Sequence, residues 1–182
     1  MDQINERVEQ MYPEGMVTFE AFAYDENGLP KDNLDEIEKH HLEPIKACIP
    51  IQNQSGIISF LKNHLNELES RLDAIFLLEE VTVKNNATIA SYGEILSSAI
   101  IQEIFKYNGV ASVLKDAREL IQTESSNNRD IVSEAVSIKK ITAYFKENQS
   151  KVVLVPGFIS SNASGETTTL GRGGSDYSAA II

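Results

Sequence analysis

The sequence predicts an α/β layered fold whose N-terminal part is largely helical. Residues 1–108 contain two long stretches with apolar residues at helical spacing, and from residue 109 to 182 short apolar strands alternate with helical stretches. One of these strands, Lys-Val-Val-Leu-Val at 151–155, is almost entirely apolar, which is typical of a strand buried on both faces of a parallel sheet. The length of 182 residues fits one domain or part of a larger one.

Composition narrows the classes of function. Asp and Glu outnumber Lys and Arg by 27 to 16, and we expect so acidic a chain to avoid nucleic acid and anionic membrane surfaces, because both attract basic patches. No apolar run reaches the length of a membrane-spanning helix, and the polar N-terminus is not a secretory signal. The single cysteine, Cys48, allows no internal disulfide and fits a reducing cytoplasm. Three histidines and one cysteine argue against a structural zinc site, so no metal site is predicted.

The first segment of the helical half is predicted to be a loop followed by a short helix. Residues 24–33 are rich in turn formers, including Gly28 and Pro30. A helix is predicted over 34–42, and Pro44 is expected to break or restart it.

The clearest helix is predicted over 56–79. Its apolar residues recur at steps of three and four and define one seam: Ile58, Leu61, Leu65, Leu68, Leu72 and Ile75. The seam favours a helix packed on the core, with a coiled-coil partner helix as the alternative. A further helix is predicted over 86–107, and Gly109 follows at a position that favours positive φ.

The α/β half is predicted to alternate strands and helices. Strands are expected at 110–114 and 151–155, and residues 118–123 are expected to form a strand or a turn with strand character. A helix is predicted over 130–148. One face of it is predicted to carry five residues: Ile131, Ala135, Ile138, Thr142 and Phe145. Polar turn residues between short extended pieces predict a β-hairpin at 160–170.

The residues from 167 to 182 carry the clearest chemistry. Three glycines in the run Gly-Arg-Gly-Gly allow unusual backbone angles and a close approach to a ligand. Ser175 or Asp176 is predicted to cap a helix that begins near Tyr177, whose free N–H groups would suit an anion. Arg172 adds a planar fork that matches a carboxylate or a phosphate. The run therefore favours a site for a small zwitterion or a phosphorylated group, and a plain glycine-rich turn before a helix is the alternative.

Two segments of this region resemble a known signature. Pro-Gly-Phe-Ile at 156–159 and Thr-Thr-Thr-Leu-Gly-Arg-Gly-Gly-Ser-Asp-Tyr-Ser-Ala-Ala at 167–180 closely resemble the signature of aspartate kinases, in the amino-acid kinase family. Ala-Ser-Tyr-Gly-Glu-Ile-Leu-Ser-Ser at 90–98 is similar to the Gly-Glu segment of the same family. The resemblance covers residues 41–182 and is strongest to the kinase portion of bifunctional aspartate kinase–homoserine dehydrogenases. It implies an amino-acid kinase-like αβα layered sandwich, here incomplete.

The resemblance also implies roles for individual residues. In the family the arginine of the signature holds the α-carboxylate of aspartate and the Gly-Glu carboxylate holds the α-ammonium, which implies these roles for Arg172 and Glu94. The acid of the signature, here Asp176, is implied to organise the site as its catalytic residue. The rest of the amino-acid pocket is implied to involve four residues: Phe158, Gly173, Gly174 and Ser175.

The implied reaction is transfer of a phosphoryl group from ATP, with Mg²⁺, to the β-carboxylate of L-aspartate, giving 4-phospho-L-aspartate. This is the first step of lysine, threonine and methionine biosynthesis, and the family resemblance implies a homo-oligomer for the complete protein. No residue of this sequence is assigned to the nucleotide.

The sequence also departs from the family pattern. The family's Lys-Phe-Gly-Gly motif, whose lysine neutralises the transferred phosphate, does not occur in these 182 residues, nor does its Thr-Asp-x-Asp-Gly nucleotide segment. We therefore expect an internal piece of an aspartate kinase with negligible activity as written. Two alternatives stay open, a truncated non-catalytic kinase-like domain that acts by interaction and, third, a helical interaction module built on the 56–79 helix.

Overall fold

The computed structural model describes residues 31–126 and 129–182 as three long helices followed by an α/β part. A short 3₁₀ turn, Ile51–Asn53, connects the first two helices. The helices are α1 (Lys31–Cys48), α2 (Ser55–Leu78), α3 (Val83–Tyr107), α4 (Ala117–Leu120), α5 (Glu134–Glu147) and α6 (Gly174–Ile181). The strands are β1 (Ser112–Leu114), β2 (Gln122–Ser126), β3 (Arg129–Val132), β4 (Val152–Leu154), β5 (Ile159–Asn162) and β6 (Thr167–Thr169).

Helices α1, α2 and α3 all pack against one another, and α2 contacts both of the others. The predicted seam is buried from Leu61 through Ile75, but at its start Ile57 is buried and Ile58 is only partly so. Because the seam is covered by helices of the same chain, the prediction of a core-facing helix is confirmed and the coiled-coil alternative is wrong.

Helix α1 is longer than predicted on both sides. It includes residues 31–33, which were expected in a loop, and it continues through Pro44 to Cys48. The remainder of the predicted loop, residues 24–30, lies outside the described residues. The physical reason for the continuity is burial, since Leu34 and Ile37 on one side of the proline and Ile45 on the other belong to the same core cluster. Packing of that apolar stripe outweighs the hydrogen bond that a proline removes.

Helix α3 begins at Val83, three residues before the predicted start. The Thr82 side chain accepts a hydrogen bond from the backbone N–H of Asn85 at 3.1 Å, which is an N-cap. The helix ends at Tyr107, and Gly109 has a φ of +75°, so the predicted C-terminal turn is confirmed.

The strands form two sheets. Strands β1 and β4 pair in parallel, while the other sheet has the order β3-β2-β5-β6 with only β2 and β5 parallel. The parallel pairing predicted for 151–155 is confirmed, although β4 is half-buried and not covered on both faces. The predicted hairpin is confirmed as the antiparallel pair β5–β6.

Two predictions in the α/β half are wrong. Residues 117–120 form the short helix α4, capped by the carboxylate of Asp116, and the strand starts only at Gln122. The first part of the helix predicted over 130–148 is instead strand β3, which pairs with β2.

The later start of α5 changes the phase of its buried face. Ser137 and Ile141 face the core, whereas Ile138 and Phe145 are 55% and 38% exposed. Within the described residues, no helix combines the length and the apolar character needed to cross a membrane.

The core position of Leu61 gives the first testable prediction. Leu61 is fully buried, so Leu61→Ala is expected to lower the free energy of unfolding by about 2–5 kcal/mol in urea titrations. On the same helix Leu77 is 80% exposed, and Leu77→Ala is expected to change it by less than about 0.5 kcal/mol. Similar losses for both variants would contradict the assignment of the seam as the core face.

Candidate functional site

The loop that leaves β4 lies directly against the first turn of α6. An ideal Cβ built on Gly157 would lie 2.9 Å from the Cα of Ser175. On the other side of the contact, a Cβ on Gly174 would lie 2.8 Å from the Cβ of Leu170 and 3.3 Å from Cδ2 of Phe158. Both glycines are therefore required by close backbone approach, which brings two segments of the predicted signature together.

Phe158 is the strained residue of this loop. Its φ is +67°, in the left-handed region that non-glycine residues seldom adopt. Around it the N–H of Ile159 donates to the carbonyl of Gly157 at 2.7 Å, which closes a three-residue turn. The N–H of Phe158 donates to Oγ of Ser178 at 3.2 Å, and its carbonyl accepts from the N–H of Leu170 at 2.8 Å. These bonds hold a conformation that costs free energy on its own.

Helix α6 begins at Gly174, earlier than predicted, and it has no side-chain cap. The prediction that Ser175 or Asp176 would cap a helix starting near Tyr177 is wrong. The reason is the backbone of the glycines. Gly171 and Gly173 both have left-handed φ values, and the N–H of Gly174 donates to the carbonyl of Gly171 at 3.0 Å, so a tight turn starts the helix.

The first turn of α6 consequently offers hydrogen-bond donors. In an α-helix the first N–H groups have no partner within the helix. The N–H of Gly174 is bound by the Gly171 carbonyl, and among the described residues no side chain accepts from those of Ser175 and Asp176. The positive end of the helix dipole lies at the same place. Ser175 and Asp176 are in this turn, and both are exposed.

Arg172 lies in the turn itself. It is exposed, and within the described residues it makes no ion pair, neither with Asp176 nor with another acid. The local pairing considered for Arg172 and Asp176 is therefore absent from the structure. The guanidinium remains available for an acidic group.

Glu94 lies on α3, which packs against β5 and β6. Its carboxylate is half-buried and has no donor among the residues that the structure describes, and burial raises the pKa of this carboxyl above its ordinary value. The next residue, Ile95, packs in the same apolar cluster as Phe158 and Leu170. No hydrogen bond or ion pair joins Glu94 to Arg172 in the structure; the shared cluster places their segments side by side.

Sequence reasoning missed the roles of Gly157 and Ser178. Ser178 is buried and links Phe158 to Gly174, because its hydroxyl also donates to the Gly174 carbonyl at 2.8 Å. A signal was present, since small residues at Gly174 and Ser178, one helical turn apart, indicate a face of close approach.

The arrangement is complementary to a small zwitterion that carries an additional negative charge. Arg172 and the uncapped first turn of α6 supply positive potential and N–H donors. Glu94 supplies a half-buried carboxylate that has no cation beside it among residues 31–126 and 129–182. A ligand with an ammonium group and an acidic group would satisfy both.

The chain is similar to known proteins over most of its length. Residues 30–182 match the sequence model of the amino acid kinase family. The chloroplastic bifunctional aspartokinase/homoserine dehydrogenase 1 of Arabidopsis thaliana is 26% identical over 147 residues, which are 80% of this chain and 16% of that protein. The bifunctional aspartokinase/homoserine dehydrogenase 2 of Escherichia coli is 28% identical over 146 residues, again 80% of this chain and 17% of the relative.

A solved structure shows the same fold. The crystal structure of E. coli aspartokinase III in complex with aspartate and ADP has a TM-score of 0.73 and 26% identity, and the match covers 82% of this chain and 33% of that one. The chain thus spans about a sixth of the length of these two bifunctional relatives and a third of the solved protein. The α/β fold predicted from the sequence is confirmed.

The close contact at Gly157 can be tested by adding one methyl group. Gly157→Ala is expected to lower the free energy of unfolding by about 1–3 kcal/mol, because the new Cβ would push Ser175 and α6 away. The matched control is Gly56→Ala in α2, where nothing lies within 4 Å and the change is expected to be neutral or stabilising. Urea titrations of both variants measure the difference, and a neutral Gly157→Ala would refute the contact.

The burial of Glu94 gives a prediction about pH. Since its folded-state pKa is raised, ionised Glu94 destabilises the fold, and the penalty appears as pH rises from the ordinary value of 4.5 through the folded-state pKa. Glu94→Gln is therefore expected to raise the melting temperature at pH 7, with the gain vanishing below pH 4.5.

Glu67 is the control for this experiment, because its carboxyl pKa is shifted in the opposite direction from that of Glu94. A hydrogen bond from Arg71 lowers the pKa of its carboxyl, so its stabilisation is present above the ordinary pKa and is lost as pH falls through the folded-state value. Glu67→Gln is thus expected to lower the melting temperature slightly at pH 7 and to have no effect in acid. If Glu94→Gln behaved like Glu67→Gln, the carboxylate of Glu94 would have a partner.

Proposed function

The chain belongs to the amino acid kinase family, and we propose that it forms the aspartate-binding part of an aspartokinase. The observation that carries the proposal is the unpaired guanidinium of Arg172 beside the uncapped first turn of α6, with a half-buried, unpaired carboxylate on the neighbouring α3. The solved relative with aspartate and ADP supports it, because the match to that protein covers 82% of this chain.

Arg172 and Glu94 are proposed to hold the two charged ends of the amino-acid backbone. A bidentate guanidinium–carboxylate pair fixes the α-carboxylate, and lysine cannot reproduce its planar fork. The carboxylate of Glu94 binds the α-ammonium group. The positive charge of that group compensates for the hydration that the carboxylate loses through burial. Together the two contacts would orient the side chain of L-aspartate.

The remaining site residues are proposed to shape the pocket around the β-carboxylate. Gly173, Gly174 and Ser175 offer backbone without obstructing side chains, and Phe158 borders the pocket through the ring that lies near Gly174. Asp176 is proposed as the catalytic residue, whose carboxylate organises the site near the substrate. It lies in the first turn of α6 and is exposed to solvent.

In the proposed reaction an oxygen of the β-carboxylate attacks the γ-phosphorus of ATP. The new bond joins that oxygen to phosphorus, and the bond from the γ-phosphorus to the bridging oxygen breaks, so ADP leaves and 4-phospho-L-aspartate forms. Such transfers depend on positioning and on neutralisation of charge. This chain would contribute the positioning of the acceptor.

Magnesium is assigned to no residue of this chain. Among residues 31–126 and 129–182, no group of three His, Cys, Asp or Glu side chains could hold a metal ion. The step above is accordingly described through the acceptor only, and the nucleotide is assigned no contact here. ATP as the phosphoryl donor rests on the relative that binds ADP.

An interaction module is the second candidate function, and one observation favours it. Four apolar side chains at the tip between α2 and α3 are between 54% and 80% exposed: Leu77, Leu78, Val81 and Val83. Exposed apolar groups of this density mark contact surfaces in many proteins. On α3 Glu94 follows Val83 by eleven residues, about 16 Å along the helix axis, so the tip and the aspartate site could coexist. Homo-oligomer formation by the complete protein is proposed on the ground of the same exposed tip.

The role of Arg172 can be tested directly. In the full-length protein that carries this sequence, Arg172→Lys is expected to weaken L-aspartate binding by more than about tenfold, because a charge-assisted bidentate pair is lost. ATP affinity and the melting temperature are expected to stay nearly unchanged, since Arg172 is exposed and has no protein partner. Calorimetric titrations with each ligand measure both affinities.

Arg71→Lys is the matched control, because Arg71 is exposed on α2 and its guanidinium binds Glu67 and the hydroxyl of Tyr92, not a residue of the 167–180 signature. It should leave the aspartate affinity unchanged. Unchanged affinity of Arg172→Lys, or an equal loss for both ligands with a lowered melting temperature, would assign Arg172 a structural role.

A further inference from the structure

Ser178 links the two segments that meet at the proposed site. It lies on α6 with 2% of its surface exposed. Its Oγ accepts the N–H of Phe158 at 3.2 Å and donates to the carbonyl of Gly174 at 2.8 Å. One hydroxyl thus joins the loop after β4 to the first turn of the helix.

The hydroxyl binds one of the two backbone polar groups of Phe158, while the other, the carbonyl, accepts from the N–H of Leu170 at 2.8 Å. Phe158 has a φ of +67°, so its amide points away from regular strand pairing and needs an acceptor. The spacing between Phe158 and Gly174 is also narrow, since a Cβ on Gly174 would approach the Cα of Phe158 to 3.4 Å. Without the hydroxyl the partly buried N–H of Phe158 would lose its acceptor, and the loop would lose this bond to α6.

Another buried serine makes a similar pair of bonds elsewhere in the fold. Ser137 on α5 is fully buried, accepts the N–H of Gln122 at 3.0 Å and donates to the carbonyl of Gln122 at 3.3 Å. It joins α5 to the start of β2 and contacts no residue of the proposed pocket. Comparing substitutions of the two serines therefore distinguishes a general loss of stability from a specific loss of ligand affinity at the proposed site.

We propose that Ser178 is a positioning residue for L-aspartate. Its hydroxyl holds the β4–β5 loop against the N-terminus of α6 and so fixes the shape of the pocket. The inference rests on the proposed function. Ser178 does not touch the substrate; it sets the distance between Phe158 and the backbone that follows Arg172.

The experiment compares Ser178→Ala with Ser137→Ala in the full-length protein. L-Aspartate affinity is measured by calorimetry, and the melting temperature is measured in parallel. Both variants lose one buried hydroxyl and are expected to lose similar thermal stability. Ser178→Ala is expected to weaken aspartate binding about tenfold, whereas Ser137→Ala is expected to change it less than about twofold.

A second variant covers the case in which Ser178→Ala does not fold. Ser178→Cys nearly preserves the size of the side chain but replaces the hydroxyl by a weak hydrogen-bonding thiol. It is expected to fold and to bind aspartate several times more weakly than the unaltered protein. Affinity equal to that of the unaltered protein would overturn the inference.

The outcomes distinguish the inference from the function on which it rests. Failure of the unaltered protein to bind L-aspartate overturns both. Normal binding by the unaltered protein, with equal affinities for Ser178→Ala and Ser137→Ala, overturns only the positioning role. Selective loss of aspartate affinity in Ser178→Ala, at a melting temperature matched to that of Ser137→Ala, supports it.

Discussion

The close approach of two backbones, the loop after β4 and the first turn of α6, is the constraint on which the rest of the site depends. Gly157 faces the Cα of Ser175, and Gly174 faces Phe158, so side chains are excluded from both sides of the contact. The turn that starts α6 depends on glycine for a different reason, the left-handed φ values of Gly171 and Gly173, and this turn supplies no side-chain cap to the helix. The donors of the first turn and the exposed position of Arg172 follow from it.

Helix α3 connects this contact to the rest of the molecule. Its residues Ile89, Leu96 and Ile100 belong to the core of the helical part, while Ile95 packs with Phe158 in the second cluster. Glu94 lies on this shared helix, so its position relative to the signature is set by two apolar cores at once. Burial of the helix, and not a polar contact, therefore brings an acidic residue of the first half of the chain beside a signature of the second half.

Sequence reasoning was most reliable where a pattern depends on many residues. The seam of α2 spans about five turns, and a single misplacement at Ile58 did not change the result. Short elements were less predictable, because their state is set by partners distant in the sequence. Residues 129–132 became strand β3 by pairing with β2, and α1 continued through Pro44 because Ile45 is buried. The signature supplied the residues that are proposed for the site, but neither the positive φ of Phe158 nor the acceptor on Ser178 can be seen in a list of residue types.

Several features of the site are unfavourable for the isolated fold, and they occur together. Phe158 has a strained backbone, burial raises the pKa of Glu94 with no cation to compensate, and α6 starts without a side-chain cap. Each would be easy to relieve: a glycine in place of Phe158, a glutamine in place of Glu94, or a serine or aspartate at the cap position. Elsewhere the fold does use such solutions, as the caps of Thr82 and Asp116 show. Helices α2 and α5 also start without a side-chain cap, so the missing cap alone does not distinguish this site. The distinguishing feature is the Glu94 carboxylate, which is half-buried without a cation among the described residues and which a ligand carrying an ammonium group would stabilise.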